Sequence, residues 1–95
     1  MNGIHLEIRG RVQGVGFRWF IRETALRLDL AGWVSNRSDG NVELAAAGDA
    51  HAVERLEAAA RKGPPGAMVE EVRSLPAIDA ATLTRPFGIV RRERL

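Results

Sequence analysis

The sequence predicts an α+β fold in the order βαββαβ, the ferredoxin-like sandwich of an antiparallel sheet with two helices on one face, occupying residues 1–95 as a single domain. Three observations lead there. Stretches of period two and period 3.6 alternate along the chain. An Asp39-Gly40 turn joins two extended runs in the middle. No internal repeat or linker interrupts them, and 95 residues leave room for one core but not for a second, nor for an enclosed large cofactor.

Each element follows from its pattern. Ile4, Leu6 and Ile8 alternate with His5, Glu7 and Arg9, as in a strand with one buried face. Gly10, Gly14 and Gly16 then mark a loop. From Phe17 the period changes: Phe17, Phe20, Ile21, Thr24, Ala25 and Leu28 share a helical face, with an end expected near Leu28 to Leu30. Gly32-Trp33-Val34 starts a second strand, and Val42, Leu44 and Ala46 alternate beyond the turn. Gly48 stops that strand and Asp49 is placed to cap a helix carrying Val53, Leu56 and Ala60, which ends at Gly63-Pro64-Pro65-Gly66. Met68 to Leu75 and Phe87 to Arg91 are two further strand candidates, the last an extra strand near the end.

Composition narrows the chemistry. The chain is 45% apolar and 27% charged, a balance that argues against disorder. It has no cysteine, which removes disulfides, thiolate zinc sites and thiol nucleophiles. Residues 1–9 carry charge at alternate positions, unlike a signal peptide, and no apolar run is long enough to span a membrane, so a cytoplasmic protein without membrane association is expected. The net charge is only +2, and thirteen of the fourteen basic residues are arginine. The basic tail, Arg91, Arg92 and Arg94, reads as a solvated strand end rather than a nucleic-acid patch.

The informative segment is Gly10-Arg11-Val12-Gln13-Gly14-Val15-Gly16-Phe17-Arg18, between a strand and a helix. The first N–H groups of a helix have no partner within it and attract anions. Glycines let successive N–H groups converge into a nest, and Arg18 in the first turn adds a planar fork that matches two phosphate oxygens. A phosphate-sized anion site from Gln13 to Arg18 is expected, although a bare Gly-x-Gly also fits a tight turn. It is neither a dinucleotide fingerprint, for want of a third glycine, nor a P-loop, for want of Gly-Lys-Ser/Thr. Asn36, at the end of the second strand, is an ordinary turn former unless it faces this loop. His5, by strand parity, and His51, in the second helix, are expected at the surface. No Ser-His-Asp set or carboxylate pair stands out.

Gly10-x-Val12-Gln13-Gly14-Val15-x-Phe17-Arg18, followed by Gly32-Trp33-Val34-x-Asn36-x-x-x-Gly40-x-Val42 and Gly48, resembles the acylphosphatase family over nearly the whole chain, with Ala25, Leu28 and Leu30 fitting between the motifs. The resemblance implies an enzyme that hydrolyses the carboxyl–phosphate bond of small-molecule acyl phosphates to a carboxylate and inorganic phosphate. It implies that Gln13, Gly14, Val15, Gly16, Phe17 and Arg18 bind the phosphate and that Asn36 orients the attacking water, with Arg18 and Asn36 catalytic. No metal, cofactor or covalent phospho-enzyme is implied, and a monomer is expected. Two positions depart from the family pattern. Asp29 stands where glycine is common and is predicted to have a positive φ. Ser35 replaces a commonly larger or basic residue, which affects contacts at the rim. Arg11 either attracts anionic substrate or is simply solvated; Trp19 and Trp33 are expected to pack, the alternative being an acyl-group entrance.

Two rival readings differ in class. One is a non-catalytic or specialised acyl-phosphate-binding module: similar domains begin the large hydrogenase-maturation carbamoyltransferases, ahead of zinc-finger and catalytic regions, and a chain of 95 residues favours the stand-alone enzyme. RNA recognition motifs share the topology but stack bases on sheet aromatics, and the central strands here offer His5, Glu7, Arg9, Asn41, Glu43 and Ala45 on the open face, so no nucleic-acid partner is expected.

Overall fold

The structure, a computed structural model, describes residues 2–91; Arg92 and Arg94 of the basic tail lie outside them. The alternating segment forms β1 (Asn2–Arg11), the first amphipathic run α1 (Phe17–Arg27), and the Gly32 and Val42 runs β2 (Ala31–Asn36) and β3 (Val42–Gly48). They are followed by α2 (Ala50–Lys62), β4 (Met68–Ser74), a 3-10 turn at Ala80–Thr82 and β5 (Gly88–Ile89). Asp49 caps α2 as its position suggests, its carboxylate accepting from the N–H groups of His51 and Ala52.

The sheet order is β4-β1-β3-β2-β5. β3 pairs antiparallel with β1 on one side and β2 on the other, so β1 and β2 run in the same direction. Their C-terminal ends, and the N-terminus of the helix between them, therefore meet at one edge of the sandwich. The four strands of the expected βαββαβ order pair antiparallel throughout, and the extra strand makes the sheet mixed: β5 runs parallel to β2, with Trp33 opposite Gly88 and Val34 opposite Ile89. The chain crosses from the β4 edge to the β2 edge before β5, so it enters beside β2 pointing the same way. The proposed strand Phe87 to Arg91 contracts to two residues, because Phe87 is buried in the core instead of extending the ladder.

Between sheet and helices lies one apolar layer. Leu6, Ile8, Val34, Val42 and Leu44 from the strands meet Phe17, Ile21 and Ala25 of α1 and Val53, Leu56 and Ala60 of α2. Each fully buried Leu, Ile or Phe contributes about 1.5–3 kcal/mol relative to exposure, which fixes both helices on this face. No helix among the described residues is long and apolar enough to cross a membrane.

The opposite face carries charge. Glu7 of β1 sits directly across from Glu43 of β3, a like-charge pair that would weaken the sheet if uncompensated. Arg73 donates to Glu7 at 2.5 Å and Asn41 at 2.9 Å, while Arg37 stands 3.4 Å from both Glu7 and Glu43. His5 completes the set. One ring nitrogen lies 2.6 Å from the Glu43 carboxylate and the other 2.7 Å from the Pro76 carbonyl, both acceptors. His5 is thus an enclosed crosslink, not the surface residue its strand parity suggests, because residues after β4 fold back over the face. Trp33, from β2, packs edge-on against it with centroids 6.1 Å apart, so this face does carry an aromatic, supplied by a flanking strand. Nothing comparable holds His51, which is exposed and 3.9 Å from Glu54.

Candidate active site

Two glycines with left-handed backbone shape the loop after β1. At Gly10, where the β1–β4 register slips by a residue, a Cβ would lie 2.1 Å from the Met68 carbonyl oxygen; only glycine allows the strand to bend away there. Gly16 caps α1 with φ 76°, and no side chain bonds to the first turn. The first helical hydrogen bond is Phe20 N–H to the Gly16 carbonyl at 2.9 Å, so the N–H groups of Phe17, Arg18 and Trp19 have no partner within the helix. The first turn also lacks an acidic residue. A cation there opposes the helix dipole by roughly 0.3–1 kcal/mol, and a bound anion reverses that sign. Arg18 is half-buried, and it has no hydrogen-bond or ion-pair partner among the described residues.

Opposite the loop stands Asn36. It shares the inward face of β2 with Val34, one step beyond the core, and pairs with Val42 in register. Its Oδ1 is buried without a hydrogen-bond donor among the described residues. Leaving such an acceptor unpaired costs about 1–3 kcal/mol, a cost that a bound water or ligand would remove.

These pieces meet in one cavity of about 160 Å³. Val12 and Phe17 form its buried floor; Gly14, Gly16 and Arg18 line one wall and Asn36 the other; Trp19 and Ile89 stand at the rim. Arg18 is the single charged residue among them. With about 30 Å³ per liquid water, the space suits a tetrahedral anion with a few waters. A larger cavity, about 530 Å³, lies beside the start of β1, at the other end of that strand. Its ionisable members are already engaged, His5 as described and Asp79 by capping Ala81, so the smaller cavity has the chemistry.

Of the residues singled out in the sequence, Gly14, Gly16, Phe17, Arg18 and Asn36 converge here. The Gln13 and Val15 side chains do not line the cavity. Val15 packs on the core, and Gln13 Nε2 donates to the carbonyls of Arg37 and Asn41, both at 2.9 Å, binding the glycine loop to the β2–β3 hairpin. The tether carries no signal in the sequence, because its acceptors are backbone carbonyls more than twenty residues away. Ser35 is fully buried and donates to the Asn36 carbonyl at 3.2 Å, so it is no rim residue. Arg11 is exposed at the end of β1, outside the cavity. Trp33 lies on the other face of the sheet, and Trp19 is exposed rather than packed. Among the described residues no three His, Asp or Glu side chains gather where they could hold a metal ion.

Comparison with known proteins matches residues 4–87 to the acylphosphatase family profile. An acylphosphatase of Rhodopseudomonas palustris is 49% identical over 80 residues, covering 83% of this chain and 81% of the relative. The crystal structure of acylphosphatase from Bacillus subtilis superposes with a TM-score of 0.81 at 38% identity, covering 95% of this chain and 99% of that one. Full-length HypF in its phosphate- and nucleotide-bound form also superposes, with a TM-score of 0.75 at 28% identity, but over 93% of this chain and only 11% of the HypF chain.

Proposed function

This chain belongs to the acylphosphatase family, and on that premise we propose that it hydrolyses acyl phosphates to a carboxylate and inorganic phosphate, with Arg18 and the glycine loop holding the phosphoryl group and Asn36 orienting the water. The observation that carries the reading is the meeting, around one anion-sized cavity, of an arginine, first-turn helix N–H groups and a buried carboxamide oxygen that find no partner among the described residues.

Arg18 presents two N–H groups to two phosphoryl oxygens, and the loop and first-turn amides take the third. Asn36 Oδ1 accepts a hydrogen bond from a water and so turns the water's lone pair toward phosphorus. Water oxygen bonds to phosphorus as the bond from phosphorus to the bridging oxygen breaks, and the electron pair leaves with the carboxylate. Asn36 cannot take a proton at neutral pH, so the water's proton passes to a phosphoryl oxygen or to solvent. A carboxylate is a good leaving group, so positioning and charge stabilisation can supply the catalysis without a general base, metal ion or cofactor. Every group invoked comes from one chain, in keeping with a monomer, and the cysteine-free composition suits the cytoplasm.

A non-catalytic or specialised acyl-phosphate-binding module is the alternative, and the 49% identity to the R. palustris acylphosphatase, against 28% to HypF, favours the enzyme. The test is phosphate release from benzoyl phosphate and acetyl phosphate with EDTA present. Turnover that survives chelation is expected; an inert protein that still binds phosphate would support a binding module instead.

A further inference from the structure

The cavity does not enclose a large acyl group together with the phosphate. At about 160 Å³ it is well below the roughly 300–1,000 Å³ that enclose a drug-sized ligand. A phosphoryl group and the attacking water take up much of it, so a bulky acyl group must extend to the mouth. There stand two large apolar side chains, Trp19 at 61% exposure and Ile89 at 40%. Trp19 follows Arg18 in the first turn of α1, and the buried face of that helix is Phe17, Ile21 and Ala25, so the indole is turned away from the core. Its ring makes no ring contact or hydrogen bond with another described residue. Ile89 comes from β5, where pairing with Val34 puts it on the helix side of the sheet, beside the same cavity. Among the described residues no second cation lines the rim that could receive a charged acyl group.

Resting on the acylphosphatase reading, we propose that Trp19 and Ile89 form the platform for the acyl group, making the enzyme selective for acyl phosphates with an aromatic or bulky apolar acyl group. An aromatic ring laid on an indole gains both apolar burial and stacking geometry. A methyl group covers little of it, and a carboxylate would lose hydration without gaining a partner.

The test separates this proposal from the reading it rests on. In a Trp33→Phe background Trp19 is the one remaining indole, and its emission can be followed while phenylphosphonate, methylphosphonate and inorganic phosphate are titrated. Phenylphosphonate is expected to bind about tenfold more tightly than methylphosphonate, in line with aromatic contacts of this kind, and to quench Trp19. Trp19→Ala removes an exposed ring and spares the core; in it the ratio should fall to within about twofold, and the kcat/KM ratio for benzoyl over acetyl phosphate should fall about tenfold from the parent value. Equal binding of the two phosphonates by the parent, or a ratio that survives Trp19→Ala, would overturn the platform. If the parent turned over no acyl phosphate yet kept the phosphonate preference, the platform would stand and the hydrolase reading would fall. Failure of inorganic phosphate itself to bind would sink both.

Discussion

Arg18 and Asn36 approach the same cavity with opposite chemistry, a cation with five donors and an amide whose oxygen lacks one. Arg18→Lys keeps the charge but loses the fork, and kcat/KM should drop on the order of 10²-fold with weaker inhibition by phosphate. Asn36→Ala should lower kcat on the order of 10²–10³-fold with phosphate inhibition retained; near-parental turnover would remove Asn36 from the mechanism. The convergence of both positions on one cavity is legible in the sequence, where a glycine loop runs into a helix with Arg in its first turn and the Asn36 spacing matches the family. The Gln13 tether, the His5 crosslink and the exposure of Trp19 are not. The first two depend on backbone carbonyls or side chains brought close only by strand pairing, and an exposed tryptophan cannot be told from a packed one by its neighbours in sequence.

The end of α1 shows how an element absorbs an unusual residue. The Leu30 N–H bonds to the Ala25 carbonyl and the Asp29 N–H to that of Leu26, the paired closure in which the intervening residue is left-handed. Asp29 fills that position with φ 56°, as the sequence leads one to expect, and its carboxylate lies 3.3 Å from Arg85 Nε. That exposed pair adds little, about 0–1 kcal/mol, so backbone strain should dominate. Asp29→Gly is expected to be more stable than Asp29→Ala by about 1 kcal/mol, measured by urea unfolding; equal midpoints would mean that the helix end relaxes. Most element boundaries are legible to within one or two residues, since period and turn chemistry agree. β5 is the exception: two paired residues are too short for a period, and a parallel neighbour cannot be inferred from local pattern.

Across the whole molecule, the charged face ties β1, β3, β4 and the hairpin together around Glu7. Its carboxyl is held below the usual glutamate range by the hydrogen bond from Asn41, then by that from Arg73, with Arg37 adding attraction against the opposing effect of burial. A carboxylate whose folded pKa is depressed contributes stability above the unfolded value, about 4.3 for glutamate, and loses it as pH falls through the folded one. The parent should therefore lose urea resistance on going from pH 7 to pH 4, and Glu7→Gln should lose less over the same interval; parallel declines would assign the acid sensitivity elsewhere. The insertion of β3 between β1 and β2 reaches further, into how the protein is made. The glycine loop follows β1 and Asn36 ends β2, two strands that do not pair with each other, so the cavity between loop and Asn36 cannot form until residues 42–48 have emerged and wedged between the strands. Recovery of turnover after dilution from denaturant would then time the closing of the sheet, later than the appearance of helix.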